Sequence, residues 1–168
     1  LESMFSLTLK NMKITLDQEE FNRAIKVGEL RQSESTRKNL QDKHGLDPAQ
    51  GLKVHVEGAC GELAVSKALG VSWDASVNTF KKFGDLGDIE VRTASKANYC
   101  LIVRQADIDS RIFILAIRLS PREFDIIGWI LGSNAKKDKW LKAPNGREKA
   151  WFVPQDELLP IDSLKITT

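Results

Sequence analysis

The run Gly84-Asp85-Leu86-Gly87-Asp88-Ile89-Glu90-Val91-Arg92-Thr93 concentrates charge in a stretch otherwise patterned as a strand. Strand side chains alternate between faces, so Asp88, Glu90 and Arg92 fall on one side while Ile89 and Val91 point into a core. Carboxylates on a half-buried face lose hydration that a cation or water must replace. The segment is therefore a candidate metal site with a positive neighbour for an anionic substrate. The same residues also suit a hairpin whose Gly and Asp only make the turn, with Glu90 and Arg92 paired on a solvated face.

A second acid belongs to the run from Val56 to Gly70, which reads as a helix closed by Gly70. Cys60, Leu63, Ala64 and Ala68, with the stem of Lys67, line its buried side, and Glu62 lies beside that stripe. Small residues at Gly58, Ala59 and Gly61 let the helix start approach a sheet, which brings Glu62 near whatever the sheet presents. Read alone, Glu62 is an ordinary exposed helix residue.

Together these pieces resemble the PD-(D/E)XK nuclease superfamily, the restriction-endonuclease-like fold. Its members offer a Glu from a helix, an Asp from the end of a strand and a Glu-x-Lys tripeptide from the next strand to one or two divalent metals. The Gly61 to Gly70 pattern is similar to the first helix of resolvase-like members, which carries over Glu62. Asp85 is the favoured Asp and Asp88 its competitor, while Glu90 matches the acid of the tripeptide. The resemblance, covering about residues 55 to 105, implies a catalytic set of Glu62, Asp85, Glu90 and Arg92, with Glu62, Asp85, Asp88 and Glu90 as metal ligands.

Magnesium or manganese suits such a site, because hard ions take carboxylate, water and phosphate oxygens. A bound ion lowers the pKa of its water and draws charge from the transition state. Arg92 stands where the superfamily usually has Lys, and a guanidinium stays protonated, so it can hold a phosphate oxygen but cannot help deprotonate water. A second departure follows it: Gln105 to Ser110 leaves room for a turn where the superfamily places a helix.

Other chemistries lack residues to carry them. His44 and His55 are isolated, and Cys60 and Cys100 lie far apart, which reads as two buried thiols rather than a zinc site or disulfide. There is no Gly-rich phosphate loop and no Gly-x-Ser-x-Gly elbow. The two cysteines and the lack of a signal-like or membrane-length apolar run point to a cytoplasmic setting, that of a host cell if the chain is phage-encoded.

The net charge of +2 hides an uneven distribution. Residues 136 to 149 hold Lys136, Lys137, Lys139, Lys142, Arg147 and Lys149 against Asp138 and Glu148, a net +4 that leaves −2 elsewhere. With Trp140 for stacking and an Asn145-Gly146 turn, this segment is the expected contact for a DNA backbone, although such loops are often merely solvated and Trp140 also suits a core.

To position these groups, the 168 residues, 42% of them hydrophobic, are expected to form one α/β (α+β) domain over 4–168. Its restriction-endonuclease-like core is a central mixed sheet flanked by helices. Leu1-Glu2-Ser3 before Met4 reads as an expression scar. A strand near Phe5 to Ile14 precedes a helix capped by Asp17, with Glu20 closing the box, Leu16 stapled to Phe21 and an apolar stripe of Phe21, Ala24, Ile25 and Leu30. The polar stretch within 33–50 reads as a frayed helix, a linker or an arm. Strands are expected at about 76–82, 88–93, 99–105, 111–119 and 123–131, with Pro121 turning the last pair. The resemblance implies DNA before RNA as partner, no membrane, and a homodimer for cutting two strands. The alternative function is a nuclease-like domain without catalysis that binds DNA or a protein.

Overall fold

The computed structural model describes residues 11–38, 47–77 and 84–166. It shows an α+β domain in which a four-stranded mixed sheet is covered by a helical pair on one face and a small second sheet on the other. In chain order the elements are β1 (Met12–Thr15), α1 (Gln18–Arg37), α2 (Pro48–Leu69), β2 (Ile89–Ala94), β3 (Leu101–Arg104), β4 (Ile112–Ser120), β5 (Glu123–Leu131), α3 (Gly132–Ala135), β6 (Leu141–Lys142) and β7 (Ala150–Val153). The main sheet runs β1-β5-β4-β2 and the second β3-β7-β6.

Strand alternation builds both cores from β4, which is buried along most of its length. Ile114 and Ala116 join the core under the helices, whereas Phe113, Leu115 and Ile117 join the core under the second sheet. β4 pairs antiparallel with β5 and parallel with β2. A parallel neighbour needs a crossover, and β3 supplies it by leaving for the second sheet.

The expected capping box is present: Asp17 accepts from the Glu20 amide at 2.8 Å and Glu20 accepts from the Asp17 amide at 2.8 Å. Leu16 is fully buried and Phe21 packs on the same core. The stripe of α1 differs from the expected one, since Ala24, Val27 and Gly28 are buried and Leu30 is 47% exposed. Of the polar stretch 33–50, the described residues at both ends are helical or cap helices. α1 continues to Arg37 and α2 already begins at Pro48, where Asp47 caps it and Pro sits in the first turn, which needs no amide donor. The end of α1 is polar because several of its residues, among them Ser33, Thr36 and Arg37, face solvent. The intervening residues 39–46, with His44, lie outside the described residues, as do most of the strand expected at 76–82 and residues 5–10 of the first one; 76–77 are not strand.

α1 and α2 approach so closely that a Cβ on Gly28 would lie 2.6 Å from the Val56 Cα and 2.7 Å from its amide nitrogen. Backbone cannot move aside as a side-chain tip can. Gly28→Ala is therefore expected to destabilise the fold by about 1–3 kcal/mol or more, read as a lower urea midpoint, despite alanine's better helix propensity.

Candidate functional site

Glu62 is 5% exposed, not a surface residue, because Gly61 lets α2 lie directly on β2: a Cβ there would come within 1.9 Å of Thr93 Oγ1. Its carboxylate turns away from the sheet toward α1. Arg31 donates to both Glu62 oxygens, at 2.6 and 2.9 Å, and the Trp73 indole donates to Oε1 at 3.2 Å. Arg31 also donates twice to the Ser76 carbonyl, at 2.9 and 2.7 Å. Lys67, expected along the buried side, instead reaches outward to the Thr15 carbonyl and Glu20.

Glu90 belongs to the other layer. Ile89 and Val91 pack under α2 as expected, so alternation turns Glu90 and Arg92 to the second-sheet side, registered against Phe113 and Leu115. Glu90 accepts from Arg111 and lies 3.8 Å from Arg92. The Arg92 guanidinium stacks 5.1 Å from the Phe113 ring centroid and donates to the Ile102 carbonyl at 3.1 Å and to Asp107 at 2.7 Å. Asp107 is anchored in turn by the Arg104 amide at 2.6 Å.

Asp85 belongs to the turn that leads into β2. The turn closes through Gly84 to Gly87 and Leu86 to Ile89 bridges, with Gly87 at φ 66°, a conformation that favours glycine. This folds the Asp85 carboxylate over the start of β2, where it accepts from the Val91 amide at 2.9 Å. Its charge reaches both sides. Burial and then Asp85 push the Glu90 carboxyl above its ordinary value, and Arg92 and Arg111, which pull the other way, do not cancel them. On the helical side burial alone would lower Arg31, but the hydrogen bonds to Glu62 and the charges of Glu62, Asp85 and Asp74 raise it. Asp88 is exposed, whereas Asp85 is half-buried.

The expected convergence of Glu62 with Glu90 and an Asp is thus corrected: among the described residues no group of three or more His, Cys, Asp and Glu is assembled to hold a metal. The reason is geometric, since a helix seated on Ile89 and Val91 meets the face opposite Glu90. What the structure does bring together is Asp85 with Glu90, beside Arg92 and Arg111. Arg31, Asp107 and Arg111 were missed from sequence; only the Asp-x-Asp-x-Arg spacing at 107–111 hinted at a second charged turn.

The basic segment divides in two. Lys136 is tied into the site, donating to the Asp107 carbonyl at 2.7 Å and pairing with Asp109 at 2.5 Å. Lys137 and Lys139 just before β6, and Lys142, Arg147 and Lys149 along the β6–β7 connection, are exposed, and that connection turns at Asn145 and Gly146 with φ of 54° and 71°. Trp140 is 7% exposed and part of the core under the second sheet, so its stacking role is withdrawn; Lys137 and Lys139 lie over its ring, 5.3 and 4.8 Å from the centroid.

Both cysteines are free: Cys60 is buried and its thiol pushed up to about 11 by that burial, while Cys100 is only half-buried. His55 lies 3.5 Å from the Ser35 hydroxyl. No helix among the described residues is long and apolar enough to cross a membrane. Comparison with known proteins finds no matching family model and no significantly similar curated protein or solved structure.

Proposed function

We propose that this chain is a nuclease-like domain of the PD-(D/E)XK type that hydrolyses DNA phosphodiester bonds with a divalent metal, Mg2+ or Mn2+, held by Asp85 and Glu90. The observation that carries the reading is that Asp85 accepts from the Val91 amide at 2.9 Å, which sets its carboxylate beside Glu90, near enough for its charge to help raise the Glu90 carboxyl. A divalent cation relieves such repulsion, and magnesium needs only one or two carboxylates when water and phosphate fill its other positions. Glu62 is not required. When bound, the ion supplies Lewis acidity and a water of lowered pKa. Arg92, oriented by Asp107 and the Ile102 carbonyl, offers a fixed cation for a non-bridging phosphate oxygen.

A catalytically idle DNA-binding domain is the second reading. It is favoured by the arginine partners that the acids already have: Arg31 on Glu62, Arg111 on Glu90 and Arg92 on Asp107. Nicking of supercoiled plasmid in Mn2+, beside calorimetric Mn2+ titration, separates the two. Metal-dependent nicking supports the nuclease; no nicking on duplex or single-stranded DNA, with no heat of metal binding, leaves the binding domain.

Acidity gives a further check. A carboxylic acid raised in the folded protein binds its proton more tightly there than in the unfolded chain, so Glu90 makes stability fall as pH rises through the interval above its ordinary 4.5. Protons also compete with metal in that interval. Mn2+ affinity is expected to decline on acidification from above 4.5 in the parent protein, and Glu90→Gln to lose both that dependence and most of the binding.

Both readings place DNA along the exposed bases. Alanine at Lys137, Lys139, Lys142 and Arg147 is expected to flatten the salt dependence of DNA binding, by about 0.9 in log–log slope for each duplex phosphate that the loop no longer neutralises. An unchanged slope would remove this loop from the DNA interface.

A further inference from the structure

The second sheet turns one face to the core and one outward. Leu101, Val103 and Val153 are fully buried and Trp151 packs beside them, so alternation directs Ile102 and Arg104 of β3, and Ala150 and Phe152 of β7, to the outer face. Register carries that face across all three strands: Ala150 lies opposite Arg104 on one side and opposite Lys142 of β6 on the other. Directly opposed residues of antiparallel strands share a face, which sets the two bases two strand spacings apart, about 9–10 Å, with only a methyl group between them. Arg104 and Lys142 are exposed, and neither side chain has a hydrogen-bond or ion-pair partner among the described residues.

One outward pair further along β3 and β7, about 7 Å away, Ile102 faces Phe152. Both are half-buried and neither belongs to either apolar core. The three strands hold no acid. The face thus joins unpaired cations to an aromatic ring outside the core. Proteins hold a single strand with that combination, since cations take its phosphates and a ring stacks on a base that a duplex would keep within its own stack.

The face also adjoins the proposed site. One oxygen of Asp107 accepts from both the Arg104 amide, at 2.6 Å, and the Arg92 guanidinium, at 2.7 Å. Gln105 donates to the Lys149 carbonyl at 3.2 Å, which holds the end of the basic loop beside the same turn. Resting on the reading that places phosphodiester hydrolysis at Asp85 and Glu90, we infer that the outer face of the β3-β7-β6 sheet is a track for single-stranded DNA. Arg104 and Lys142 take phosphates, Phe152 stacks on a base, and the track leads the strand to Arg92.

Fluorescence anisotropy of the intact chain with labelled oligothymidine, and with a duplex of equal length, tests this in chelator, where binding is read without cleavage. R104A and K142A each flatten the salt dependence of oligothymidine binding by about 0.7 in log–log slope, and R104A leaves the duplex slope unchanged. F152L lowers oligothymidine affinity roughly tenfold at unchanged slope and duplex affinity, while F152W keeps the parental value. R104A alters an exposed position only, so it decides the matter where F152L does not fold.

Unchanged oligothymidine slopes in R104A and K142A overturn the proposal. So does F152L that folds and weakens duplex and single strand alike, or neither. Polyglutamate that competes as well as unlabelled oligothymidine overturns it too, and assigns the face to an acidic protein segment. Failure of the nuclease reading looks different. Strand binding that depends on Arg104 and Phe152, without Mn2+-dependent cleavage, retires the nuclease and leaves the track, whereas cleavage by the parent with unchanged binding in the variants retires the track alone.

Discussion

Glu90→Ala is expected to abolish manganese-dependent nicking of supercoiled plasmid, while Arg92→Lys retains or increases it. Losing one of two carboxylates removes much of the metal's hold and hence its stabilisation of the transition state, a term worth several kcal/mol. A loss of about 3 kcal/mol corresponds to roughly a hundredfold in rate, readily seen as the disappearance of nicked circles. The Glu90 site is accompanied by two arginines, so the substitution also leaves Arg111 and Arg92 without that acid. A stability measurement must therefore accompany the assay. Arg92→Lys keeps a positive charge and introduces a group that can exchange a proton, but it forfeits some of the donors that hold Arg92 to Asp107 and Ile102. Equal nicking by the parent and Glu90→Ala would dismiss the proposed site.

The largest stability effect is expected at Glu62. Glu62→Ala leaves the Arg31 guanidinium buried with its main acid gone and the Trp73 indole without its acceptor. Breaking a buried pair from one side costs about 3–5 kcal/mol, because the remaining charge stays desolvated. With a urea m-value of about 1–3 kcal/mol/M, the unfolding midpoint should fall by more than about 1 M. Arg31→Met combined with Glu62→Gln removes both charges while filling similar volume, and is expected to recover much of the loss. A midpoint shift no larger for Glu62→Ala than for the exposed Glu29→Ala would contradict the buried-pair assignment.

Several local features were legible in the chain because they depend on short-range chemistry. Asp17 with Glu20 signals a helix start through two reciprocal hydrogen bonds, and Gly70 marks a helix end because it adopts φ 67° without strain. Ile89 and Val91 versus Glu90 and Arg92 sort onto opposite faces by alternation alone, and the structure preserves that sorting. The strands expected at 88–93, 111–119 and 123–131 stand within a residue or so as β2, β4 and β5.

Tertiary structure decided which charges meet. Nothing in local spacing says that α2 seats on the Ile89 and Val91 face, yet that choice alone parts Glu62 from Glu90. Nor does it say that Arg31, 31 residues before Glu62, closes on both of its oxygens, or that Arg111 and Asp107 arrive beside Glu90 and Arg92 through the β3 crossover. Charged side chains carry no periodic signal of their partners, because an ion pair needs only proximity and desolvation, which packing supplies. The burial of Trp140 was decided in the same way, by the second sheet closing over it. The sequence by itself determined the helix caps and the opposite faces of Ile89 and Val91 against Glu90 and Arg92; only the packing of three layers determined that Arg31 closes on Glu62 and Arg111 on Glu90.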